Sequence, residues 1–370
     1  MTALRIGVDA WNLPHDRRGI GRYVRAILRR WLATDRERVK VTLLIPQRPA
    51  WLYKAPYVKA LGGAAVSVLS RQAAARPIFD AVWFPWNGMS WRCPGRKVAT
   101  LHDASVFALP SAQERERRQA QEPFVKAAAE ADRILTDSYF SKAELVKYLL
   151  IVPERVSVVP LGVDMPLTKP STEGATRRGD GARYILFVGE PDERKGLDTL
   201  LGAMAMLPSD LRAGIQLILV GRVPPDKRIG TNLEVEVSVR GHVSDGELAS
   251  LYRGAAALVY PSRYEGFGLP VLEAMAHGTP VVASDSGGVR EAGGDAALYF
   301  PAGDVPELSR AIARVLEDGE LARKLRRAGS RHAAGMTWEA TATATLRVFE
   351  TLVGARSAKR NPLEAAESSQ

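Results

Sequence analysis

The richest chemistry in this 370-residue chain lies in one string, Pro261-Ser262-Arg263-Tyr264-Glu265-Gly266-Phe267-Gly268-Leu269-Pro270, continued by Val271-Leu272-Glu273-Ala274-Met275-Ala276. An apolar run ends at Tyr260, the glycines make a turn, and a helix is predicted from Leu269, with Pro270 suited to its first turn. Glu265 then lies on the turn, and Glu273 follows in the helix. A carboxylate can accept two sugar hydroxyls at once, and backbone amides at Gly266, Phe267, Gly268 and Leu269 can meet ligand oxygens that neutral side chains would miss. The plainer alternative makes Glu265 a helix cap and Glu273 a solvated side chain; the string taken whole speaks against it.

Two further stretches carry charge in suggestive places. Arg194-Lys195-Gly196 follows the apolar run Tyr184–Val188 and precedes the helical run Leu197–Met206, so its cations stand at the carboxyl end of a strand, where open α/β sheets bind ligands. Gly19-Ile20-Gly21 follows the first apolar run and opens a helix, where backbone N–H groups and the helix dipole favour an anion. Val24 occupies the place of a third glycine, so a plain tight turn competes with a phosphate site. Arg22, Arg25 and Arg29 recur at i, i+3 and i+7, opposite the apolar Ile20, Val24, Ile27, Leu28 and Trp31, and this basic stripe either holds lipid phosphates or is a wet face.

The elements that must position these residues read as two similar halves. Arg5–Ala10, Val39–Ile45, Ala64–Leu69, Ala81–Phe84, Lys97–Leu101, Arg133–Thr136 and Val156–Val159 are short apolar runs with helical stretches between several of them, the pattern of a parallel sheet covered on both faces. The rhythm restarts with Tyr184–Val188, Ile215–Val220, Leu233–Val239, Ala256–Tyr260, Pro280–Ala283 and Ala297–Phe300. Between them Pro160–Arg183 has linker composition, rich in Pro, Gly, Ser and Thr. The expected division is an N-terminal domain over 1–165, a linker over 166–182 and a C-terminal domain over 183–337. A helix over 338–355 returns to the N-terminal domain, and 356–370 is a frayed tail. The fold class is α/β, with two tandem Rossmann-like domains and an inter-domain cleft.

Composition bounds the function. At 46% apolar and 25% charged residues, neither disorder nor a fibrous architecture is favoured. Cys93 is the single cysteine, so no internal disulfide forms. Asp9 interrupts the first apolar run and no 18-residue apolar stretch occurs, which predicts a cytoplasmic protein that does not span a membrane. The net charge of +10 is uneven: residues 1–182 hold 29 Lys and Arg against 17 Asp and Glu. Such a bias fits nucleic acid, an anionic membrane or an anionic substrate, or simply a solvated face.

At the string around Glu265 the sequence resembles the family of retaining, two-domain GT-B glycosyltransferases, the group 1 or family 4 enzymes, which includes bacterial mannosyltransferases and sucrose synthases. The hallmark is a pair of glutamates with seven residues between them, matched by Glu265 and Glu273. The resemblance also takes in Gly19-Ile20-Gly21-Arg22-Tyr23, Leu101-His102-Asp103, Thr136-Asp137-Ser138 with Phe140-Ser141, Val158-Val159-Pro160-Leu161-Gly162-Val163-Asp164 and Glu193-Arg194-Lys195-Gly196. It implies that Glu265 binds hydroxyls of the transferred sugar and Glu273 the nucleotide ribose. Arg194 and Lys195 hold the diphosphate, helped by the amides of Gly19–Gly21. His102 matches a histidine beside the donor sugar; a satisfied core histidine is the alternative. Many relatives carry arginine after the Val-Gly of the strand, whereas Glu190 follows Val188-Gly189 here, which leaves that charge role to Arg194.

The implied activity is retaining transfer of a hexose from a nucleotide sugar, GDP-mannose first, to a glycan or lipid-linked acceptor in surface polysaccharide synthesis. The nucleotide diphosphate leaves on the face that the acceptor attacks. No D-x-D pair occurs, so no metal or other cofactor is expected. The partners expected are the nucleotide sugar, the acceptor and an anionic membrane surface at the inner face of the cytoplasmic membrane, met through Arg22, Arg25 and Arg29. A nucleic-acid-binding protein using the basic half lacks any helix-turn-helix, zinc or RNA-binding signature. A nicotinamide-dependent oxidoreductase would need a full G-x-G-x-x-G, and a nucleotide-sugar epimerase on the same fold would need no acceptor.

Overall fold

The computed structural model describes residues 3–16, 18–76, 78–166, 183–190, 192–222 and 233–360. The expected linker therefore lies outside the described residues except for Pro166, as do 361–370 of the expected tail. The chain divides into two compact units, the first running to Leu161 and resuming at Trp338, the second running from Gly162 to Thr337.

In the first unit, seven strands form one parallel sheet: β1 (Leu4–Asp9), β2 (Val39–Ile45), β3 (Ser67–Ser70), β4 (Ala81–Phe84), β5 (Lys97–Thr100), β6 (Arg133–Thr136) and β7 (Val156–Val158). Their order is β3-β2-β1-β4-β5-β6-β7, so the winding reverses between β1 and β4. The buried residues of β1, β2 and β4 are mostly consecutive rather than alternating, as helices on both faces require. The helix Gly19–Ala33 buries Tyr23, Val24, Ile27, Leu28 and Trp31. It packs against the long helix Trp338–Arg360, where Trp31 Nε1 donates to the Ala342 carbonyl at 3.1 Å and Phe349 meets the Trp31 ring edge to face. That aromatic contact gives the returning helix a buried partner.

The second unit repeats the plan with six strands: β8 (Arg183–Val188), β9 (Ile215–Val220), β10 (Glu236–Gly241), β11 (Ala257–Tyr260), β12 (Val281–Ser284) and β13 (Leu298–Phe300). The order is β10-β9-β8-β11-β12-β13, every pairing is parallel, and the reversal falls between β8 and β11. β10 begins three residues later than the run Leu233–Val239 suggested. It is an edge strand with little buried surface, so apolarity marks its limits weakly. Val163 N donates to the Met336 carbonyl at 3.0 Å, tying both ends of this unit together.

Candidate active site

The reversal in the second sheet decides which loops meet. β8 and β11 are neighbours, and at a reversal the connections leave to opposite sides, opening a crevice at the strands' carboxyl ends. The loop after β8 carries Arg194 and Lys195, and the loop after β11 carries Glu265. Asp192 caps the short turn Glu193–Lys195 by accepting from Lys195 N at 2.9 Å. Gly196 adopts φ +64 and lies so close to the other loop that a Cβ would stand 2.2 Å from the Pro261 carbonyl oxygen. Arg263 N donates to the Arg194 carbonyl at 2.7 Å and its guanidinium to the Glu193 carbonyl at 2.7 Å. The two loops are thus strapped before any side-chain charge meets another.

The charges meet at Glu265. Lys195 Nζ donates to Glu265 Oε1 at 2.5 Å and to Tyr260 Oη at 3.3 Å, while Arg194 Nη1 lies 3.2 Å from Glu265 Oε2. The carboxylate is buried. Burial alone would raise its pKa, but the Lys195 and Arg194 cations outweigh that and hold it below the usual value. Burial likewise opposes the charge on Lys195, and Tyr260 and Glu265 reverse the effect and raise its pKa. Burial, followed by Glu265, pushes the Tyr260 phenol up to about 12. Two cations therefore share one carboxylate at the mouth of the crevice.

The helix Leu269–Ala276 begins at the predicted residue, with Pro270 in its first turn and Gly268 as a left-handed N-cap at φ +112. Gly266, Phe267 and Gly268 are buried beneath it, and Gly288 N donates to the Glu265 carbonyl at 3.2 Å. Glu273 is buried and accepts from Tyr252 Oη at 2.9 Å, so it is not the solvated side chain of the plainer alternative. The Tyr252 ring stacks on His277. Burial, and then Arg253, lowers the His277 pKa to about 4, which keeps that imidazole neutral.

The other predicted residues belong to the first unit. Gly19 and Gly21 form the first turn of their helix, which has no acidic residue there and no side-chain cap. Gly21 is consumed by packing, since a Cβ would come within 1.9 Å of the Asp16 carbonyl oxygen, whereas a Cβ on Gly19 would meet nothing within 4 Å. His102 follows β5 and is buried: Nδ1 faces Asp137 Oδ2 at 2.8 Å, and Nε2 faces the Pro85 carbonyl at 3.3 Å. The Tyr23 ring meets its imidazole edge to face. Burial opposes protonation of His102, but Asp137 outweighs it and raises the pKa. Both ring nitrogens are therefore engaged inside this unit, and a sugar hydroxyl would have to displace the longer contact to Pro85.

The basic stripe is not the open surface that its spacing suggested. Arg25 is half-buried and donates to the Asp16 carbonyl at 2.5 Å, Arg22 is half-buried, and only Arg29 of the three is exposed, with Nη2 donating to the Ala60 carbonyl at 3.0 Å. The physical reason is that long cationic side chains satisfy nearby carbonyls while their stems cover apolar surface.

Sequence reasoning missed Tyr252 and Tyr260 and gave Asp137 no role. Asp137 stands in a motif already marked, and Tyr260 is the residue before the string, so both were findable by position. Nothing in the periodicity indicates that the Tyr252 hydroxyl reaches Glu273.

Comparison with known proteins bears on this geometry. Residues 169–332 match the family model for Glycosyl transferases group 1. The O-antigen chain mannosyltransferase B of Escherichia coli is 32% identical over 270 residues, covering 70% of this chain and 71% of that protein. The MMP alpha-(1->4)-mannosyltransferase of Mycolicibacterium hassiacum is 36% identical over 233 residues, covering 61% of this chain and 55% of that one. The sucrose-phosphate synthase of Thermosynechococcus elongatus superposes with a TM-score of 0.71 at 22% identity, covering 95% of this chain and 100% of that one. At that identity the structural likeness speaks to fold, and the fold is GT-B.

Proposed function

Because the chain belongs to the Glycosyl transferases group 1 family and is a glycosyltransferase, we propose that it moves a hexose from a nucleotide-diphosphate sugar to a glycan or lipid-linked acceptor with retention of configuration. The observation that carries this reading is the buried carboxylate of Glu265 shared by Lys195 and Arg194. Without a donor these three neutralise one another in part. A diphosphate competes for both cations, and Glu265, freed of them, turns to the hydroxyls of the transferred sugar. Glu273 takes the ribose, with Tyr252 fixing its carboxylate. As the bond to the anomeric carbon breaks, negative charge grows on the leaving phosphate, and cations already aimed at it lower the barrier without rearrangement. The same phosphate accepts the acceptor's proton on the face it leaves.

GDP-mannose is the first donor to test, since two relatives are named mannosyltransferases. A lipid-linked acceptor would bring the protein to the inner face of the cytoplasmic membrane as a peripheral enzyme, with no nucleic acid involved. The experiment is release of nucleotide diphosphate from a panel of nucleotide sugars, with and without saccharide acceptors and a strong chelator. Release from one donor, stimulated by acceptor and insensitive to chelation, is expected; release that needs added divalent metal would overturn the metal-free part. NMR of the product's anomeric proton checks retention.

A further inference from the structure

The observations that lead furthest lie away from the charged cluster, between β2 and β3. The tight turn Ala50–Tyr53 and the short helix Lys54–Ala60 present Trp51 at 74%, Leu52 at 61% and Tyr53 at 43% exposure. These are three consecutive large apolar residues in water. The segment is not loose: Ala50, Tyr57 and Leu61 are buried, Tyr57 Oη donates to Gln47 Oε1 at 3.3 Å, and Arg29 holds the Ala60 carbonyl. The side chains that could turn inward have done so, and the turn holds the other three outward. The edge strand β3 packs beside the turn and adds Leu69, also exposed.

Charge identifies what meets this face. Arg48, Lys54 and Lys59, close to the apolar triplet in sequence, are all exposed. From residue 38 to residue 79 the chain carries seven Lys and Arg and no Asp or Glu. Tyr139 and Leu150 are also strongly exposed, but there Lys142, Lys147 and Arg155 alternate with Glu144 and Glu154, so their setting is of mixed charge. An exposed aromatic and aliphatic tip on a segment whose charges are all cationic matches the boundary of an anionic bilayer: indole and phenol rings sit at headgroup level, and lysine and arginine face lipid phosphates. An acidic protein surface would not call for three adjacent apolar residues, and a nucleic acid would favour stacking rings over leucine.

We propose that Trp51, Leu52 and Tyr53, with Arg48, Lys54 and Lys59, form the contact by which this protein attaches to an anionic membrane. The contact lies here and not on the stripe of Arg22, Arg25 and Arg29. It rests on the proposed lipid-linked acceptor for its purpose, but attachment itself requires neither donor nor acceptor. Each cation near the anionic leaflet strengthens partitioning about fivefold, and the apolar tip adds the insertion that salt cannot screen.

The test is co-sedimentation of the full chain with vesicles of phosphatidylcholine alone or mixed with phosphatidylglycerol, at low and raised salt. The wild type should sediment with the mixed vesicles only, less so in salt. Trp51→Ser with Leu52→Ser should weaken binding about tenfold or more, and Arg48→Gln with Lys54→Gln and Lys59→Gln should remove its preference for anionic lipid. All five side chains are exposed, and circular dichroism should confirm that both variants fold. Binding equal on both vesicles, or unchanged in the variants, would overturn the proposal, as would self-association in sedimentation velocity that the Trp51 and Leu52 changes abolish. Nucleotide diphosphate release in lipid-free solution should be the same in these variants as in wild type. If no donor of the panel is turned over while vesicle binding persists, the proposed donor reading fails and the membrane face stands.

Discussion

One turn follows the first strand of each parallel sheet, and the chain has used the two in opposite ways. After β1, the turn ending at Gly19–Gly21 closes on the protein itself: the missing Cβ of Gly21 makes room for the Asp16 carbonyl, and Arg25 donates to the same oxygen. After β8, the turn ending at Gly196 closes on the neighbouring loop, and its cations reach a carboxylate on that loop. A glycine-rich turn before a helix is thus ambiguous by type. What separates a packing turn from a ligand-binding one is whether the charges beside it are spent within the same loop or collected from two strands at the sheet's reversal. The His102–Asp137 pair extends the contrast, for it too joins residues that follow two strands, yet its polar atoms face other protein atoms.

The largest effect should come from removing one partner of the buried cluster. Lys195→Met leaves Glu265 buried with Arg194 alone, which should cost about 3–5 kcal/mol of stability, read by denaturant unfolding of the second unit. Adding Glu265→Gln should recover a large part of it. If the single change costs nothing, Lys195 and Glu265 are not coupled and the contrast between the turns collapses.

Next, Gly21→Ala should destabilise the first unit by about 3 kcal/mol, because the new methyl meets backbone rather than a flexible side chain. Gly19→Ala should change stability by less than about 0.5 kcal/mol. Thermal melts compare the two. Loss of donor affinity in a stable Gly19→Ala protein, by titration calorimetry, would return that turn to a ligand-binding role and sharpen the comparison in the other direction.

The two glutamates should then divide the kinetics. Removing a charge-assisted hydrogen bond costs roughly 1.5–3 kcal/mol, or about 10- to 150-fold. Glu273→Ala should show this in the donor KM, since the ribose is held equally before and during transfer. Glu265→Ala should show it in kcat. Steady-state rates at saturating acceptor decide; equal effects of both on KM would remove the assigned roles.

The smallest effect is one of pH. The His102 pKa is raised above its ordinary 6.5, so its stabilising contribution is fully present below that value and is lost as pH rises through the higher folded value. The Glu265 pKa is lowered below its ordinary 4.5, so its contribution is present above that value and is lost as pH falls through the lower one. The first unit should therefore weaken on the alkaline side and the second on the acid side, read by hydrogen exchange of each sheet across pH. Asp137→Asn should flatten the alkaline slope and leave the acid one alone.

Much of this molecule was written locally. The consecutive apolar runs that build β1, β2, β8 and β9 require strands buried on both faces, so a doubly wound sheet follows from composition and spacing. The helix start at Leu269 follows from Gly268 and Pro270 in the same way, because caps and first-turn proline depend on a few neighbouring residues. β10 was less legible, since an edge strand buries little and its pattern is faint.

What no local pattern contains is which loops share a crevice and which charges are already spent. That Lys195 meets Glu265, 70 residues later, depends on the reversal between β8 and β11. Tyr252 reaching Glu273 and Asp137 reaching His102 likewise depend on strands and helices being neighbours in space. The three arginines at helical spacing read as a stripe open to lipid phosphates or to water, and tertiary packing turned Arg25 onto a carbonyl while leaving Trp51, Leu52 and Tyr53 in solvent. Periodicity reports which face of an element is apolar; only the packed structure decides what that face, and each long polar side chain, finds opposite.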